Sequence, residues 1–340
     1  MVKVYAKETQ TTDFDELGKI AQTLLKRVIE ENDIRFDEHV PIKVHFGEDG
    51  NITYVPATAY DGMIEYLSSK NVQTSFIETN VLYRGRRTNR ADHVKLALEH
   101  GFDKIPIIIA DGEMGEMFYD AEINKEYLQK CKIGAGFKNF RQYIVCAHFK
   151  GHALSGFGGA IKQLGMGFAA RGGKLEQHSS LKPTIIEKKC TYCSLCLSIC
   201  PVNAITVESN PVINKDDCIG CAVCIACCPS GAVVFDWEGQ DFLGKLVEYA
   251  YAAAVGKQNI YVNFLANITK DCDCMGIKMN KITENVGVLV STDPVAIDTA
   301  SIDLVQKRSG SKIFDKGRSA LEHADRIGLG SMKYKLILGD

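Results

Sequence analysis

Two short stretches decide how this chain is organised: CTYCSLCLSICP at residues 190–201 and CIGCAVCIACCP at residues 218–229. Four cysteines and the closing proline of the first stretch recur in the second. Each is displaced along the chain by the same number of residues, the separation of Cys190 and Cys218. Nine of the chain's 13 cysteines lie between Cys190 and Cys228. In a large chain, such crowding indicates metal ligation rather than a disulfide scaffold, and the repeat predicts two copies of one structural unit.

The spacing of the repeat suits iron–sulfur clusters. Three cysteines at two-residue gaps can wrap a loop around one [4Fe–4S] cube and leave its fourth iron for a distant thiolate. Over about residues 184–236 the run resembles the two-cluster module of bacterial ferredoxins, and this resemblance implies that each fourth cysteine crosses to the other cluster. One predicted ligand set is Cys190, Cys193, Cys196 and Cys228, and the second is Cys218, Cys221, Cys224 and Cys200.

Zinc is the alternative for this run, because paired C-x-x-C motifs also build zinc sites. The third cysteine of each copy and the repeated Cys-Pro favour clusters instead. Cys227 departs from the ferredoxin pattern, and we interpret it as a small buried residue rather than a ligand. Between the copies, Glu208-Ser209-Asn210 is predicted to form a tight hairpin turn. Two [4Fe–4S] clusters would imply electron exchange with a redox partner protein.

The composition excludes several protein classes. The chain has 340 residues, a net charge of −2, 46% hydrophobic residues and 24% charged residues, which is a globular balance rather than a disordered one. No apolar run approaches the roughly 18 residues of a membrane span. Near-neutral charge argues against a nucleic-acid binder. The first residues, MVKVYAKETQ, lack the apolar core of a secretory signal, so we expect a cytoplasmic protein.

Outside the cysteine repeat, strand and helix patterns alternate, which is typical of an α/β domain with a mostly parallel sheet. Strands are predicted at Pro41–Phe46, Ser75–Glu78, Ile105–Ala110, Gln142–Ala147, Asn259–Phe264 and Val286–Val290. Helices are predicted at Phe14–Ile29, Ala57–Leu67, Ala91–His100, Leu243–Val255 and Asp298–Lys307. We therefore expect a layered α/β domain formed by residues 1–182 and 238–340, with an α+β ferredoxin-like module inserted at residues 183–237.

Polar residues follow the ends of the predicted strands. Because parallel strands end at one edge of a sheet, these residues predict a site there. Lysines and histidines at such a site could bind an anionic small molecule and supply protons to a reduced product. The candidate catalytic residues are Lys43, His45, Asn80, Asp111, His148, Lys150, Lys162 and Asp298.

Residues 146–178 are rich in glycine, which permits close approach of a backbone to a ligand or to another segment. A helix starting near Gly158 could hold an anion at its first backbone amides. The stretch matches neither the dinucleotide fingerprint nor the phosphate-binding loop. Ligand binding and a tightly packed turn both remain open. His148 and His152 lie four residues apart, but the residues between them disfavour a helix, so packing or hydrogen bonding is the preferred interpretation.

The cysteines outside the repeat predict a further metal site. Cys272 and Cys274, spaced C-x-C, could hold a soft metal together with Cys146 or a histidine, although free cysteines are often only small buried residues. Cys131 is interpreted as inert, on a helix. Arg84-Gly85-Arg86-Arg87 and Arg90 are interpreted as a solvated basic loop, with binding of a phosphate or an acidic partner as the alternative.

Three segments outside the repeat carry a family resemblance: HFKGHALSGFGGAIKQLGMGFAARGGKLEQH from residue 148, NITKDCDC from residue 267 and STDPVAIDTASIDLV from residue 291. With the cysteine run, they make the chain resemble the domain-of-unknown-function 362 family, whose members often carry a two-cluster ferredoxin insert. The resemblance spans nearly the whole chain. It implies the α/β architecture with its insert, but no substrate.

The sequence thus supports three hypotheses. In the first, an iron–sulfur oxidoreductase relays single electrons between two [4Fe–4S] clusters and a polar site in the α/β domain. In the second, the chain is a pure electron carrier, and the α/β domain docks redox partners. In the third, it is a metal or cofactor maturation protein that uses Cys272, Cys274 and Cys146.

Overall fold

The computed structural model describes residues 1–179, 182–207, 211–235 and 241–339. The strands in these ranges are β1 (Val2–Glu8), β2 (Ile42–Lys43), β3 (Phe76–Glu78), β4 (Ile107–Ile109), β5 (Phe118–Glu122), β6 (Lys130–Gly134), β7 (Ile144–His148), β8 (Lys150–His152), β9 (Gly156–Gly158), β10 (Thr184–Ile185), β11 (Ile205–Val207), β12 (Pro211–Ile213), β13 (Val233–Val234), β14 (Ile260–Leu265), β15 (Gly287–Ser291) and β16 (Tyr334–Leu338).

The helices in the same ranges are α1 (Phe14–Glu31), α2 (Asp61–Ser69), α3 (Arg90–Glu99), α4 (Ala160–Gly165), α5 (Arg171–His178), α6 (Leu195–Ile199), α7 (Val223–Cys227), α8 (Phe242–Ala254), α9 (Pro294–Ser309) and α10 (Arg318–Arg326). Short 3₁₀ turns lie at Ala57–Tyr60, Ala135–Asn139, Glu187–Lys189 and Asp315–Gly317. No helix in the described ranges is long and apolar enough to cross a membrane.

The central sheet has eight strands in the order β16-β1-β15-β14-β7-β2-β3-β4. Strand β15 runs antiparallel to both of its neighbours, and every other adjacent pair is parallel. Seven strands therefore share one direction, which confirms the predicted mostly parallel α/β sheet. The carboxyl ends of β14, β7, β2 and β3 meet at one edge, where the loops that follow them can build a common site.

Helices cover both faces of this sheet. Along β7, Val145 packs into the apolar core on one face, whereas Ile144 and Cys146 pack into the core on the other. Residues of α4, α8, α9 and α10 contribute to the first core, and residues of α1, α2 and α3 contribute to the second. Burial on both faces explains why β7 and β14 are buried along their whole length and appear in the sequence as continuous apolar runs.

The six strands predicted from apolar runs are all present in the sheet, but β1 and β16 were not predicted. The helix predicted around Cys131 is wrong. Cys131 lies in β6, which pairs with β5 as a separate two-stranded sheet, and its side chain is buried beside the carbonyl oxygen of Glu248. Exposed and buried residues mix within β5 and β6, so their apolar pattern was too weak to identify them as strands.

The cysteine-rich segment, defined as residues 183–237, repeats in structure as well as in sequence. Ser194 and Ala222 occupy equivalent places in the two copies, and both adopt left-handed backbone angles, with φ of 60° and 62°. Each immediately precedes a short helix, α6 in the first copy and α7 in the second. Strand β10 pairs with β13, and β11 pairs with β12. The turn predicted at residues 208–210 lies outside the described residues.

The cysteine-rich segment packs against the α/β sheet through a shared apolar cluster. Leu82 and Leu175, from the larger part of the chain, pack with Ile205, Ile213 and Ala222 of the segment. A guanidinium nitrogen of Arg84 donates to the carbonyl oxygen of Pro229 at 2.6 Å. Close contact extends to α5, because a Cβ added at Gly172 would lie 2.8 Å from the carbonyl oxygen of Gly220.

The amino terminus of α4 is capped by the carboxylate of Asp298 on α9. The backbone N–H groups of Ala160 and Ile161 donate to its two oxygens at 2.7 and 2.9 Å, and Asn263 donates a further hydrogen bond at 2.8 Å. Burial raises the pKa of Asp298 to about 6 despite these donors. The anion predicted at this helix start is therefore a side chain of the protein itself, and Asp298 serves there as a cap.

We expect Asp298→Asn to destabilise the folded chain by about 1–3 kcal/mol, because the amide replaces one acceptor oxygen with a donor that faces a backbone N–H. Chemical denaturation of the full chain at neutral pH, followed by circular dichroism, measures this loss. Asp103→Asn, at an exposed position, is the matched control and should change stability little. Equal stability of the two variants would contradict the capping role.

Candidate functional site

A cavity of about 410 Å³ lies at the sheet edge where β14, β7, β2 and β3 end. Its wall is built from the loops after these strands together with α4 and α5. The polar, titratable and sulfur-bearing residues that line it are His45, Glu78, Thr79, Tyr83, Arg87, His152, Lys162, Gln163, Met166, Lys174, His178, Asp271, Cys272, Cys274 and Met275. The parallel sheet therefore brings together loops that are far apart in the sequence, as the topology predicts.

The C-x-C motif forms a tight turn in this wall. The backbone N–H of Met275 donates to the carbonyl oxygen of Cys272 at 3.0 Å, which closes a four-residue turn over Cys272–Met275. Ligand atoms of Cys272, Cys274 and His152 all lie within 4.8 Å of one another. The Lys162 ammonium on α4 is 3.3 Å from the Cys272 sulfur.

The pKa values of the two thiols in this turn are shifted in opposite directions. A hydrogen bond from the Cys274 thiol and the nearby charge of Lys162 hold the pKa of Cys272 well below its usual value, despite burial. The same hydrogen bond, together with burial, raises the pKa of Cys274 well above its usual value. Cys272 is therefore the more acidic thiol of the pair, and its sulfur is the one that faces the ammonium of Lys162.

The carboxylate of Asp273, between the two cysteines, fixes the turn to the sheet. The His148 Nδ1 and the Lys150 ammonium each lie 2.7 Å from one of its oxygens, and Thr53 donates to the other at 3.3 Å. The other ring nitrogen of His148 faces the carbonyl oxygen of Ala266 at 2.7 Å. Both ring nitrogens of His148 thus face acceptor oxygens, which fixes the orientation of the ring between Asp273 and Ala266.

Burial alone would raise the pKa of Asp273, but the charges of His148 and Lys150 and the hydrogen bond from His148 outweigh burial and hold it well below its ordinary value. His148 and Lys150 therefore support the turn and do not line the cavity. The sequence placed both among the candidate catalytic residues, because nothing in the chain order shows that they pair with Asp273.

A second group of buried charges lies behind the cavity wall. The Lys43 ammonium is 2.9 Å from a carboxylate oxygen of Glu78. The side chain and backbone N–H groups of Asn80 both donate to one oxygen of Asp111, at 3.0 and 2.9 Å. Burial raises the pKa of Asp111 to about 6 and lowers the pKa of Lys174 to about 8. Of this group, Glu78 and Lys174 line the cavity.

The basic loop predicted to be solvated is exposed at Arg84 and Arg90, but its Arg87 is buried. Arg87 is 1% exposed, donates to Glu48 at 3.1 Å and lies 3.0 Å from the Nε2 of His45. Arg86 pairs with Glu99, Arg90 pairs with Glu113, and Arg84 contacts Pro229. The acidic partners come from distant parts of the sequence, so the local run of arginines alone could not reveal them.

Burial, followed by the charge of Arg87, lowers the pKa of His45 well below its usual value, so His45 is neutral.

Of the eight candidate catalytic residues, two line the cavity, namely His45 and Lys162. The other six, Lys43, Asn80, Asp111, His148, Lys150 and Asp298, are buried around it. Cys146, predicted as a partner for the C-x-C motif, lies in an apolar core on β7, and burial raises its pKa well above the usual value. His152 takes its place beside the two cysteines.

Lys174, Glu78 and His152 line the cavity but were absent from the candidate set. Lys174 and His152 belong to the glycine-rich stretch, so closer attention to its charged and titratable members would have found them. Glu78 ends a predicted strand, and this was the available signal for its position. Gly172 and Gly173 of the same stretch serve packing, since a Cβ at Gly173 would lie 2.6 Å from the carbonyl oxygen of Lys132.

Two smaller cavities lie inside the cysteine-rich segment, and each gathers three thiols of one copy and the fourth of the other. The first is lined by Cys190, Cys193, Cys196 and Cys228, and the second by Cys200, Cys218, Cys221 and Cys224. All eight are free thiols. Within the described residues, three candidate metal-ligand atoms approach within 4.8 Å of one another only at His152, Cys272 and Cys274. Among the described residues, no three of these eight thiols lie within 4.8 Å of one another, whereas the sulfur ligands of a tetrahedral zinc ion lie about 3.8 Å apart.

Helix α5 lies between the second of these small cavities and the large one. Its Gly172 contacts the backbone of Gly220 and Cys221, whereas Lys174 and His178, further along the helix, line the large cavity. The Lys174 ammonium donates to Thr79 at 2.5 Å and to the carbonyl oxygen of Ala169 at 2.6 Å. A single helix, about 10 Å in diameter, therefore separates a four-thiol cavity from the large cavity.

We expect Asp273→Asn to destabilise the chain by about 3–5 kcal/mol at neutral pH, because His148 and Lys150 lose their buried counter-charge. The pKa of Asp273 is lower in the folded chain than in the unfolded chain. Its stabilisation is therefore full above the unfolded pKa and decreases as the pH falls toward the folded pKa. The variant should lose part of the acid dependence of stability, measured by denaturation at a series of pH values.

Asp271→Asn, in the same loop but outside this group of ion pairs, is the matched control for that measurement. It should retain both the stability and the pH dependence of the parent chain. If both variants behaved alike, Asp273 would not hold the turn.

The chain matches a protein-family model and is similar to solved structures at low sequence identity. The family model described as "Domain of unknown function (DUF362)" matches residues 40–303. No curated protein matches the chain. The lactate racemase apoprotein from Thermoanaerobacterium thermosaccharolyticum is similar at 11% identity and a TM-score of 0.38, with 78% of this chain and 51% of that chain covered.

A crystal structure of a protein from Thermotoga maritima is similar at 8% identity and a TM-score of 0.44, with 94% of this chain and 60% of that chain covered. The present chain thus spans between about half and three fifths of the length of these two proteins. The family match, in contrast, covers well over half of the present sequence. The chain belongs to the DUF362 family.

Proposed function

We propose that this protein is an iron–sulfur redox protein that passes single electrons between two [4Fe–4S] clusters and the large cavity. The observation that carries the proposal is the grouping of thiols in the cysteine-rich segment. Cys190, Cys193, Cys196 and Cys228 would hold one cluster, and Cys218, Cys221, Cys224 and Cys200 would hold the other. The proposal treats residues 183–237 as a ferredoxin-like module inserted in an α/β domain of residues 1–182 and 238–340.

The donor set fits such clusters better than it fits zinc. Eight free thiols surround two cavities, and their separation exceeds that of the sulfur ligands of a single ion. Backbone N–H groups also point at the sulfurs, since Ala204 donates to Cys200 at 3.3 Å and Ala232 donates to Cys228 at 3.2 Å. Such hydrogen bonds tune a cluster's reduction potential. When bound, each cluster supplies one-electron reduction and oxidation.

The chain's own residues connect the two parts. Leu82 packs in the apolar cluster of the cysteine-rich segment and also lines the large cavity. Helix α5 contacts the backbone of Cys221 near one end and presents Lys174 to the cavity further along. Leu82 and α5 thus contact both the cysteine-rich segment and the cavity, so an electron acceptor bound in the cavity would lie within a few side chains of the thiols.

The large cavity suits an anionic small molecule. Lys162 and Lys174 place ammonium groups in its wall, and burial lowers the pKa of Lys174 to about 8, close enough to neutrality for proton donation to a reduced product. The proposed partners are this ligand and a redox partner protein, without nucleic acid. We also propose a cytoplasmic location, where thiols remain reduced; none of the 13 cysteines forms a disulfide.

Substituting one thiol of each set tests the clusters. We expect anaerobically purified chain to contain about eight irons and to give a paramagnetic resonance signal on reduction. Cys196→Ser and Cys221→Ser should each lose about half of the iron. Cys131→Ser, at a buried thiol outside the segment, is the control and should retain it. Stoichiometric zinc in place of iron would contradict the proposal.

A second experiment separates an oxidoreductase from a pure electron carrier. If the cavity binds a small anion, native mass spectrometry of the anaerobic chain should show a retained ligand or saturable binding of added carboxylates. Lys174→Gln should weaken that binding about tenfold or more, because it removes a buried ammonium group. Lys278→Gln, at an exposed site, should not. Fast electron exchange with no anion binding would instead favour the carrier.

A further inference from the structure

Cys272 and Cys274 carry the two thiols of the large cavity, and the proposed function leaves them without a role. We propose that they form a reversible dithiol/disulfide couple, which acts as the two-electron acceptor on the cavity side. This inference rests on the proposed function for its electron donor. Its central claim concerns only the two thiols and can be tested with the clusters absent.

The turn geometry brings the two thiols within bonding reach. Cys272 and Cys274 are the first and third residues of the turn closed by Met275, and their sulfurs lie within 4.8 Å. A disulfide spans Cα atoms about 4.4–6.8 Å apart, a separation that the first and third residues of such a turn satisfy. Rotation of the side chains then closes the remaining gap. Asp273 holds the turn rigid in both redox states through His148 and Lys150.

The surroundings of Cys272 are those of a nucleophilic thiolate. Its sulfur faces the Lys162 ammonium at 3.3 Å and the backbone N–H of Cys274 at 3.4 Å. It lines the cavity and is 4% exposed, so a small molecule in the cavity can reach it. Cys146 and Cys131, by contrast, are buried in apolar surroundings that suppress reactivity.

The position of His152 favours a thiol couple over a metal site. The backbone N–H groups of Leu154 and Ser155 point at its Nδ1, at 3.3 and 3.0 Å, so this nitrogen is an acceptor. The proton then resides on Nε2, which is a donor and has no lone pair for a metal. A hydrogen-bond donor beside two sulfurs stabilises a thiolate.

Reduction and reoxidation of the Cys272–Cys274 couple each transfer two electrons. In the oxidised state, a bond joins the sulfurs of Cys272 and Cys274. Two electrons, supplied one at a time by a reduced one-electron donor, break that bond. Cys272 remains a thiolate beside Lys162, and Cys274 takes one proton from solvent. In the reverse direction, the Cys272 thiolate attacks a disulfide substrate and releases one thiolate of that substrate. Cys274 then displaces the second thiol and restores the internal bond.

Thiol trapping tests the couple directly. The full chain is equilibrated anaerobically in glutathione buffers of graded potential, alkylated and digested, and the peptide containing both cysteines is weighed. We expect one internal disulfide under oxidising conditions and two alkylated thiols under reducing conditions. Cys274→Ser should abolish the disulfide, whereas Cys146→Ala should leave it unchanged. Two free thiols at every potential would overturn the proposal, as would a bound metal that blocks alkylation until a chelator is added.

An electron count separates this inference from the proposed function. With both clusters and the couple present, the oxidised chain should take up about four electrons, because each cluster accepts one and a disulfide accepts two. Cys274→Ser should take up about two. A chain that holds no iron but still accepts two electrons would support the couple and contradict the clusters. The same uptake in parent and variant would contradict the couple.

Lys162→Gln tests the positioning role of the ammonium group. Alkylation of Cys272 near neutral pH should slow about tenfold or more, because the thiolate loses its counter-charge. Lys278→Gln, exposed in the same loop as the cysteines, is the matched control. Restoration of the rate by Lys162→Arg would distinguish loss of charge from structural damage. Unchanged alkylation in Lys162→Gln would contradict the role.

Discussion

The buried carboxylate of Asp273 is the constraint on which the site depends. It has no solvent exposure, and its charge is stabilised by His148 and Lys150, which lie 2.7 Å from one of its oxygens. From a different loop, Thr53 donates to the carboxylate, and the backbone N–H of Glu48 donates to the backbone carbonyl oxygen of Asp273. Three loops that follow β2, β7 and β14 are thereby joined at one residue. The cysteines on either side of Asp273 consequently face the cavity in a fixed orientation.

Because the site depends on contacts between distant loops, the sequence could predict the fold better than the site. The fold followed from local signals: apolar runs of the length of buried strands, alternating with helical periods, were enough to predict the parallel sheet. The cysteine repeat was equally local, because the spacing of ligands along a loop reflects the geometry of the group they bind. The clearest failures were the short mixed strand that contains Cys131 and the terminal strands β1 and β16.

The roles of individual charged residues could not be predicted in the same way. Arg87 lies in a run of arginines that resembles a solvated loop, yet it is buried because Glu48, some forty residues earlier, pairs with it. Asp298 was predicted to be a catalytic residue, yet its carboxylate caps the amino terminus of α4. A charged side chain acquires its role from the group opposite it, and that group is set by tertiary structure. A cavity therefore lies at the predicted edge of the sheet, but six of the eight predicted residues do not line it.

The pairing of β10 with β13 brings the two ends of the cysteine-rich segment close together. Thr184 and Val234 are opposite one another in that pair, so the two ends of the cysteine-rich segment are neighbours in space. A segment whose entry and exit points coincide can be gained, lost or exchanged without changing the distance that the surrounding chain must bridge. The surrounding α/β part of the chain therefore has only a short distance to bridge, whether the cysteine-rich segment is present or absent.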